Sequence, residues 1–163
     1  MIIAGLDPSL TATGWGVIRA EGSRLSFVAA GTIKPPSALP MPARLAILFR
    51  QASEMLAAYM PQTGAMEEVF ANQNPQSTLK LGQARGAVLA AMGAANLPCA
   101  EYAPRFVKKA LVGTGGADKR QVRAMVERLL PGAQIDSYDA SDALAVAITH
   151  AGLAGQEKRV MHA

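Results

Sequence analysis

The chain has 163 residues, half of them hydrophobic, and a formal net charge of +4. This length and composition predict one domain with a sizeable buried core. The single cysteine, Cys99, excludes an internal disulfide and favours a cytoplasmic protein. No basic leader precedes the first apolar run, and the small-apolar stretch 87–95 is too short to span a bilayer, so a soluble protein without a membrane partner is expected.

The first third of the chain predicts an antiparallel meander followed by a helix. Alternating or continuous apolar runs predict strands at 2–7, 14–19 and 25–33, with a turn at Glu21-Gly-Ser between the last two. Two prolines then introduce a helix whose apolar residues recur every three to four positions as far as Pro61. A fourth strand follows and ends at Glu67.

The next helix is predicted over 75–96 and contains Gly82 and Gly86 four residues apart. Glycine within a helix costs about 1 kcal/mol relative to alanine. The pair therefore predicts a close approach to another backbone, either the sheet beneath this helix or a second subunit.

The C-terminal half alternates strand and helix signals. They predict a short strand at 98–102, a basic helix near 104–111, a glycine loop, and an amphipathic helix near 118–130. A last helix begins at Asp139. Residues 155–163 have no apolar period, so the domain is expected to occupy 1–154 and to be followed by a disordered tail.

Acidic residues stand at the ends of several of these apolar segments. Asp7, taken alone, is equally well explained as a turn residue before Pro8, and Asp139 as a charge that favours a helix N-terminus. Asp142 lies three residues further along the same helix face, where two like charges repel unless a cation lies between them. Together with Glu67 these acids predict a shared metal site at the ends of the core elements.

The rest of the chain is strongly basic. If four acids bind metal, eight remain against sixteen Lys and Arg. A solvated helical face is the ordinary explanation of such charges, but a basic strip beside an acidic metal site suits phosphodiester chemistry. Between 69 and 135 only three acids accompany nine basic residues, which are Lys80, Arg85, Arg105, Lys108, Lys109, Lys119, Arg120, Arg123 and Arg128.

The order of elements is that of an RNase H-like α/β fold: a mixed five-stranded sheet, three antiparallel strands then parallel ones, flanked by helices. Four segments, in the same order, resemble the RuvC family of Holliday-junction resolvases, and the resemblance extends from residue 1 to about 152. The segments are Gly5-Leu-Asp-Pro-Ser-Leu-Thr-Ala-Thr-Gly-Trp-Gly-Val, Ala65-Met-Glu-Glu-Val-Phe, Leu79-Lys-Leu-Gly-Gln-Ala-Arg-Gly and Asp139-Ala-Ser-Asp-Ala-Leu-Ala-Val-Ala-Ile-Thr-His.

The resemblance implies a structure-selective DNA endonuclease that resolves Holliday junctions in recombination and repair. It makes Asp7, Glu67, Asp139 and Asp142 the catalytic ligands of two Mg²⁺ ions, for which Mn²⁺ should substitute. In such a site the ions lie about 3.5–4 Å apart, one activating the attacking water and the other stabilising the leaving 3′-oxygen. The expected products carry 5′-phosphate and 3′-hydroxyl ends.

The resemblance also implies contacts outside the metal site. Phe70 would stack on a base near the exchange point of the junction, although a core phenylalanine is its alternative explanation. Lys108 and Lys119 would lie near the scissile backbone, with Arg105, Lys109, Arg120 and Arg123 adding phosphate contacts. A homodimer formed through the helix containing Leu79–Gly86 would nick two strands symmetrically, in cooperation with the RuvA–RuvB branch-migration machine.

Some positions depart from the family pattern or leave a choice. Ser9 stands where the family usually has glycine, which puts the turn after Asp7 in question. Glu68 follows Glu67, and adjacent residues on a strand point to opposite faces, so motif register selects Glu67. Asp136 is expected to be a loop acid.

An RNase H-type ribonuclease acting on RNA–DNA hybrids is the main alternative function, but its second acid is typically on a helix rather than a strand. A non-catalytic branch-point binding module and a sugar-kinase-like ATPase are weaker alternatives, because the first needs no acidic site and the second needs paired phosphate-binding loops.

Overall fold

The computed structural model describes residues 1–69 and 74–160, the last six by their backbone alone. Phe70 lies outside the described residues. Ten elements follow in chain order: β1 (Ile2–Asp7), β2 (Thr13–Glu21), β3 (Arg24–Ile33), α1 (Met41–Tyr59), β4 (Thr63–Glu67), α2 (Pro75–Ala94), β5 (Cys99–Tyr102), α3 (Pro104–Val112), α4 (Lys119–Leu129) and α5 (Tyr138–Val160).

The five strands form one mixed sheet in the order β3-β2-β1-β4-β5. The pairs β1–β2 and β2–β3 are antiparallel, whereas β1–β4 and β4–β5 are parallel. This arrangement confirms the predicted mixed sheet flanked by helices. In the described part of the chain, no helix is both long and apolar enough to cross a bilayer.

The sheet separates two hydrophobic cores, because successive residues of a strand point to opposite faces. Ala4 of β1 and Met66 of β4 pack with α1 and α2 on one face. Ile3 of β1 and Ala65 of β4 pack with α3, α4 and α5 on the other. The odd-numbered residues of β1 and β4 therefore face α5.

Helix α5 lies directly on β1 and β2, because glycines line its path. A Cβ on Gly14 would stand 1.9 Å from the carbonyl oxygen of Asp139, and a Cβ on Gly5 would stand 2.1 Å from that of Ala143. Gly16 pairs with Gly5 across the antiparallel strands, and a Cβ on Gly16 would stand 2.6 Å from the Leu144 side chain. No other residue permits this approach, so the glycines fix the height of α5 above the sheet.

Polar contacts fix the beginning of α5. The Ser137 hydroxyl accepts a hydrogen bond from the Ala140 amide (3.1 Å) and shares another with the Thr32 hydroxyl on β3 (2.8 Å). Arg123 of α4 donates to the Ile135 carbonyl (2.7 Å). The first turn of α5 is thereby tied to the sheet and to α4.

The C-terminal end of α5 differs from the prediction. The sequence predicted an unstructured segment from residue 155, but the backbone is helical through Val160. Extending an existing helix costs far less than starting one, and Gln, Glu, Lys and Arg at 156–159 are good helix formers without an intervening proline.

We predict that Gly14→Ala lowers the free energy of unfolding by about 3 kcal/mol, because the new methyl group meets backbone rather than a flexible side chain. Urea denaturation followed by circular dichroism measures the change. Gly152→Ala is the matched control within α5: among the atoms that the structure describes, none lies within 4 Å of its Cβ position. The control should gain about 0.5–1 kcal/mol, and equal stability of the two variants would contradict backbone contact at Gly14.

Candidate active site

Four acids meet at one end of the sheet on the face covered by α5. Asp7 ends β1 and Glu67 ends β4, and these strands are adjacent and parallel, so both residues lie at the same edge. Both are odd-numbered and face α5. Asp139 and Asp142 lie in the first two turns of α5, above the glycine path. The structure therefore brings together all four acids that the sequence singled out.

Burial and mutual repulsion raise the pKa values of three of these acids, Asp7, Glu67 and Asp142. The pKa of Asp7 rises from 3.8 to about 7, first because of burial and then because of the charges of Glu67, Asp142 and Asp139. The pKa of Glu67 rises from 4.5 to about 7, because of burial and the charge of Asp142. Burial also raises the pKa of Asp142. The site therefore has more negative charge than its surroundings neutralise.

Two lysines of the predicted DNA-binding set face this charge. Lys119, the first residue of α4, places its Nζ 3.3 Å from Oδ2 of Asp142, and that carboxylate raises the pKa of the lysine. Lys108 of α3 lowers the pKa of both Glu67 and Asp142. Both lysines thus lie close enough to the carboxylates to offset part of their negative charge.

The four acids fit a divalent cation by donor chemistry, because carboxylate oxygens are the ligands of Mg²⁺ and Mn²⁺. A cation would also relieve the repulsion that raises the pKa values of Asp7 and Glu67. Within residues 1–69 and 74–160, no three His, Cys, Asp or Glu side chains converge closely enough to enclose one ion.

The remaining choices made from the sequence have clear structural outcomes. Ser9 does not need the backbone freedom of glycine: its φ is not positive, and the Thr13 hydroxyl accepts from its amide (3.1 Å) and donates to its carbonyl (2.7 Å). Asp136 lies in the loop before α5, as predicted. Arg123 donates to the Glu127 carboxylate and to the Ile135 carbonyl, and its predicted contact with phosphate stays a prediction.

Sequence reasoning missed a set of arginines that bond the backbone around the acids. The Arg44 guanidinium donates to the Leu10 carbonyl (2.9 Å), three residues beyond Asp7. That of Arg85 donates to the Glu67 carbonyl (2.8 Å). Arg123 donates in the same way to the Ile135 carbonyl, in the loop before Asp139. An arginine thus bonds the backbone near Asp7, at Glu67 and near the start of α5. In the sequence these arginines are indistinguishable from surface cations. The close approach of α5, in contrast, could have been inferred from the alternation Gly14-Trp-Gly16 within a strand.

A mixed sheet in this order, with carboxylates at adjacent strand ends and on the helix that crosses them, defines an α/β domain of the RNase H-like class. The family model described as crossover junction endodeoxyribonuclease RuvC matches residues 3–150. The chain belongs to the RuvC family.

Curated relatives and solved structures agree with this membership. The crossover junction endodeoxyribonuclease RuvC of Erythrobacter litoralis is 58% identical over 152 residues, covering 93% of both chains. That of Azorhizobium caulinodans is 58% identical over 149 residues, covering 91% of this chain and 88% of the relative. Thermus thermophilus RuvC in complex with Holliday junction substrate has a TM-score of 0.90 at 33% identity, with 96% of both chains covered. The yeast mitochondrial resolvase Ydc2, with a TM-score of 0.72 at 10% identity over 96% of this chain and 82% of its own, shares the fold.

The raised pKa of Asp7 makes the metal-free protein less stable as its carboxyl group ionises. The folded state holds this proton up to a pH of about 7, whereas an unfolded Asp loses it near 3.8. Stability should therefore fall as pH rises from 4 to 7 and then level off. We predict that Asp7→Asn raises the free energy of unfolding at pH 8 in EDTA by about 1–3 kcal/mol and that this gain disappears at pH 4.

Urea denaturation at the two pH values measures this difference, with Asp136→Asn as the control for an exposed loop acid. The control should behave like the wild type at both values. A variant at position 7 that is no more stable than the wild type at pH 8 would contradict the repulsion argument.

Proposed function

We propose that this chain is a Holliday-junction resolvase, a metal-dependent endonuclease that cuts two strands of a four-way DNA junction in recombination and repair. Membership of the RuvC family and similarity to the T. thermophilus RuvC complex with its junction substrate support this function. The observation that carries it is that Asp7, Glu67, Asp139 and Asp142 lie within electrostatic reach of one another, beside two lysines. Glu67 ends a strand, which favours a resolvase over an RNase H-type ribonuclease.

Nucleases of the RuvC family are metal-dependent. In our proposal the four acids hold two Mg²⁺ ions, and Mn²⁺ substitutes for them. When bound, such ions supply an activated water and stabilise charge on the leaving 3′-oxygen. The chain contributes a buried set of carboxylates already under mutual repulsion, which favours cation binding at neutral pH. The products carry 5′-phosphate and 3′-hydroxyl ends.

Lys108 and Lys119 are proposed to hold the scissile phosphate. Their ammonium groups already face the acids, so a phosphodiester drawn to them comes within reach of the metal site. Phe70, for which sequence pattern is the only support, is proposed to stack on an unpaired base, a contact worth about 1–3 kcal/mol. Arg105, Lys109 and Arg120 are proposed to add contacts to phosphates further away.

The active assembly is proposed to be a homodimer through α2. Of the two explanations for the helical glycines, packing against the chain's own sheet is wrong, because no described residue comes within 4 Å of a Cβ built on Gly82 or Gly86. Leu79 on this helix is 58% exposed. A two-fold dimer matches the two-fold symmetry of a four-way junction and so supports symmetric paired nicks. Cooperation with RuvA and RuvB, and a cytoplasmic location, follow from family precedent.

The function is tested with a labelled four-way DNA junction in Mg²⁺, beside linear duplex and an RNA–DNA hybrid. We expect paired symmetric nicks in the junction alone, and a rate at least about 10³-fold lower for Asp7→Asn, because removing a metal ligand removes the source of the nucleophile. Asp136→Asn should cut like the wild type. Cleavage of the hybrid instead would make the protein a ribonuclease, and a junction bound but uncut in Mg²⁺ and Mn²⁺ would exclude nuclease activity.

The dimer is tested by placing a large side chain on the outer face of α2. Gly86→Leu should produce a monomer in sedimentation velocity and reduce paired nicking, since the two helices would no longer approach closely. Gly152→Leu, an equally exposed position on α5, should leave the dimer intact. A variant at position 86 that remains dimeric would place the interface elsewhere.

A further inference from the structure

Arg85 contacts the backbone of Glu67 and not its carboxylate. One guanidinium nitrogen donates to the Glu67 carbonyl (2.8 Å), and another pairs with the carboxylate of Glu101 on β5. The side chain is only 14% exposed, although it belongs to the basic stretch that the sequence assigned to phosphate. The guanidinium thus joins α2, β5 and the end of β4.

The Glu67 carbonyl needs this donor because the sheet cannot supply one. Gly64 donates its amide to the Pro98 carbonyl (2.8 Å), so even-numbered residues of β4 bond toward β5 and odd-numbered ones, including Glu67, toward β1. If the parallel ladder continued, the Glu67 carbonyl would accept a hydrogen bond from the amide of residue 8. Pro8 has no N–H, so the β1–β4 ladder ends there.

Arginine suits this position better than lysine. Its planar fork bonds the carbonyl oxygen and the Glu101 carboxylate at the same time, whereas one ammonium group on a flexible stem does not hold both in fixed geometry. The cations that face the carboxylate of Glu67 itself are Lys108 and Lys119. Arg85 therefore acts on the direction of the Glu67 backbone and leaves the carboxylate free for a ligand.

We propose that Arg85 is a positioning residue for Glu67: it replaces the hydrogen bond that Pro8 withholds and so fixes the peptide from which the metal-binding carboxylate projects. The inference rests on the proposed metal-binding role of Glu67. Glu101 holds the guanidinium in place. Losing the fork would let the last peptide of β4 turn, so that the carboxylate would meet the metal less often in its productive orientation.

The test compares Arg85→Met, Arg85→Lys and Glu101→Gln with the wild type. Single-turnover junction cleavage is measured against Mg²⁺ concentration, and junction binding is measured in EDTA. For Arg85→Met we expect a maximal rate at least tenfold lower and a half-saturating Mg²⁺ concentration severalfold higher, with the Kd for the junction within twofold. Arg85→Lys should resemble Arg85→Met, and Glu101→Gln, which keeps an acceptor for the guanidinium, should stay within about threefold of the wild type.

The control is Arg50→Met, which removes an arginine from an exposed helical ion pair with Glu54 and should change none of these values. An unchanged half-saturating Mg²⁺ concentration in Arg85→Met would overturn the proposal and reduce Arg85 to a stabilising contact. Wild-type behaviour of Arg85→Lys would overturn it too, because positive charge alone would then suffice.

A second readout separates this inference from the proposed function. Binding of Mn²⁺ to the free protein, followed by electron paramagnetic resonance, needs neither DNA nor cleavage. If the wild type fails to cut a junction, the proposed function fails, and the Mn²⁺ titration still decides the role of Arg85. Weaker Mn²⁺ binding in Arg85→Met and Arg85→Lys supports the inference, and unchanged binding overturns it.

Discussion

The contact between the backbone of α5 and the glycines of β1 and β2 is the constraint on which the site depends. A side chain at Gly5 or Gly14 would overlap the backbone of α5 and force the helix away from the sheet. Asp139 and Asp142 would then move away from Asp7, since they belong to the turns that cross these glycines. Strand register places two acids at one edge of the sheet, but only this direct packing brings the other two within electrostatic reach of them.

Such close packing has an electrostatic cost. Asp7 and Glu67 are withdrawn from water and face other carboxylates, so both have pKa values near 7. Lys119 and Lys108 offset part of the repulsion, and neutral contacts such as the Ser137 hydroxyl at the start of α5 hold the segments in place. The fold thus maintains a set of charges that would separate if each segment were free, a common feature of sites built for charged ligands.

Much of this arrangement follows from the sequence. The apolar runs predict all five strands. The two-residue period allows only one of Glu67 and Glu68 to share a face with Asp7, and the resemblance to the family motif, not the period, selects Glu67. The roles of Arg44, Arg85 and Arg123 could not be predicted in this way, because a bond from a guanidinium to a distant carbonyl has no periodic signature. The helix beyond residue 154 was missed for a different reason: its residues lack an apolar stripe, and only cooperativity extends the helix through them. Phe70 stays a prediction.

The arginines that donate to backbone carbonyls reduce the number of cations that can contact nucleic acid. A cation that neutralises a phosphate releases condensed counterions, and each such contact adds about 0.9 to the slope of log affinity against log salt on duplex DNA. Arg44 and Arg85 donate to backbone carbonyls instead, so we expect them to displace no counterions from DNA. The salt dependence of junction binding therefore counts the outward cations alone, and it is shallower than the sixteen Lys and Arg of the sequence suggest.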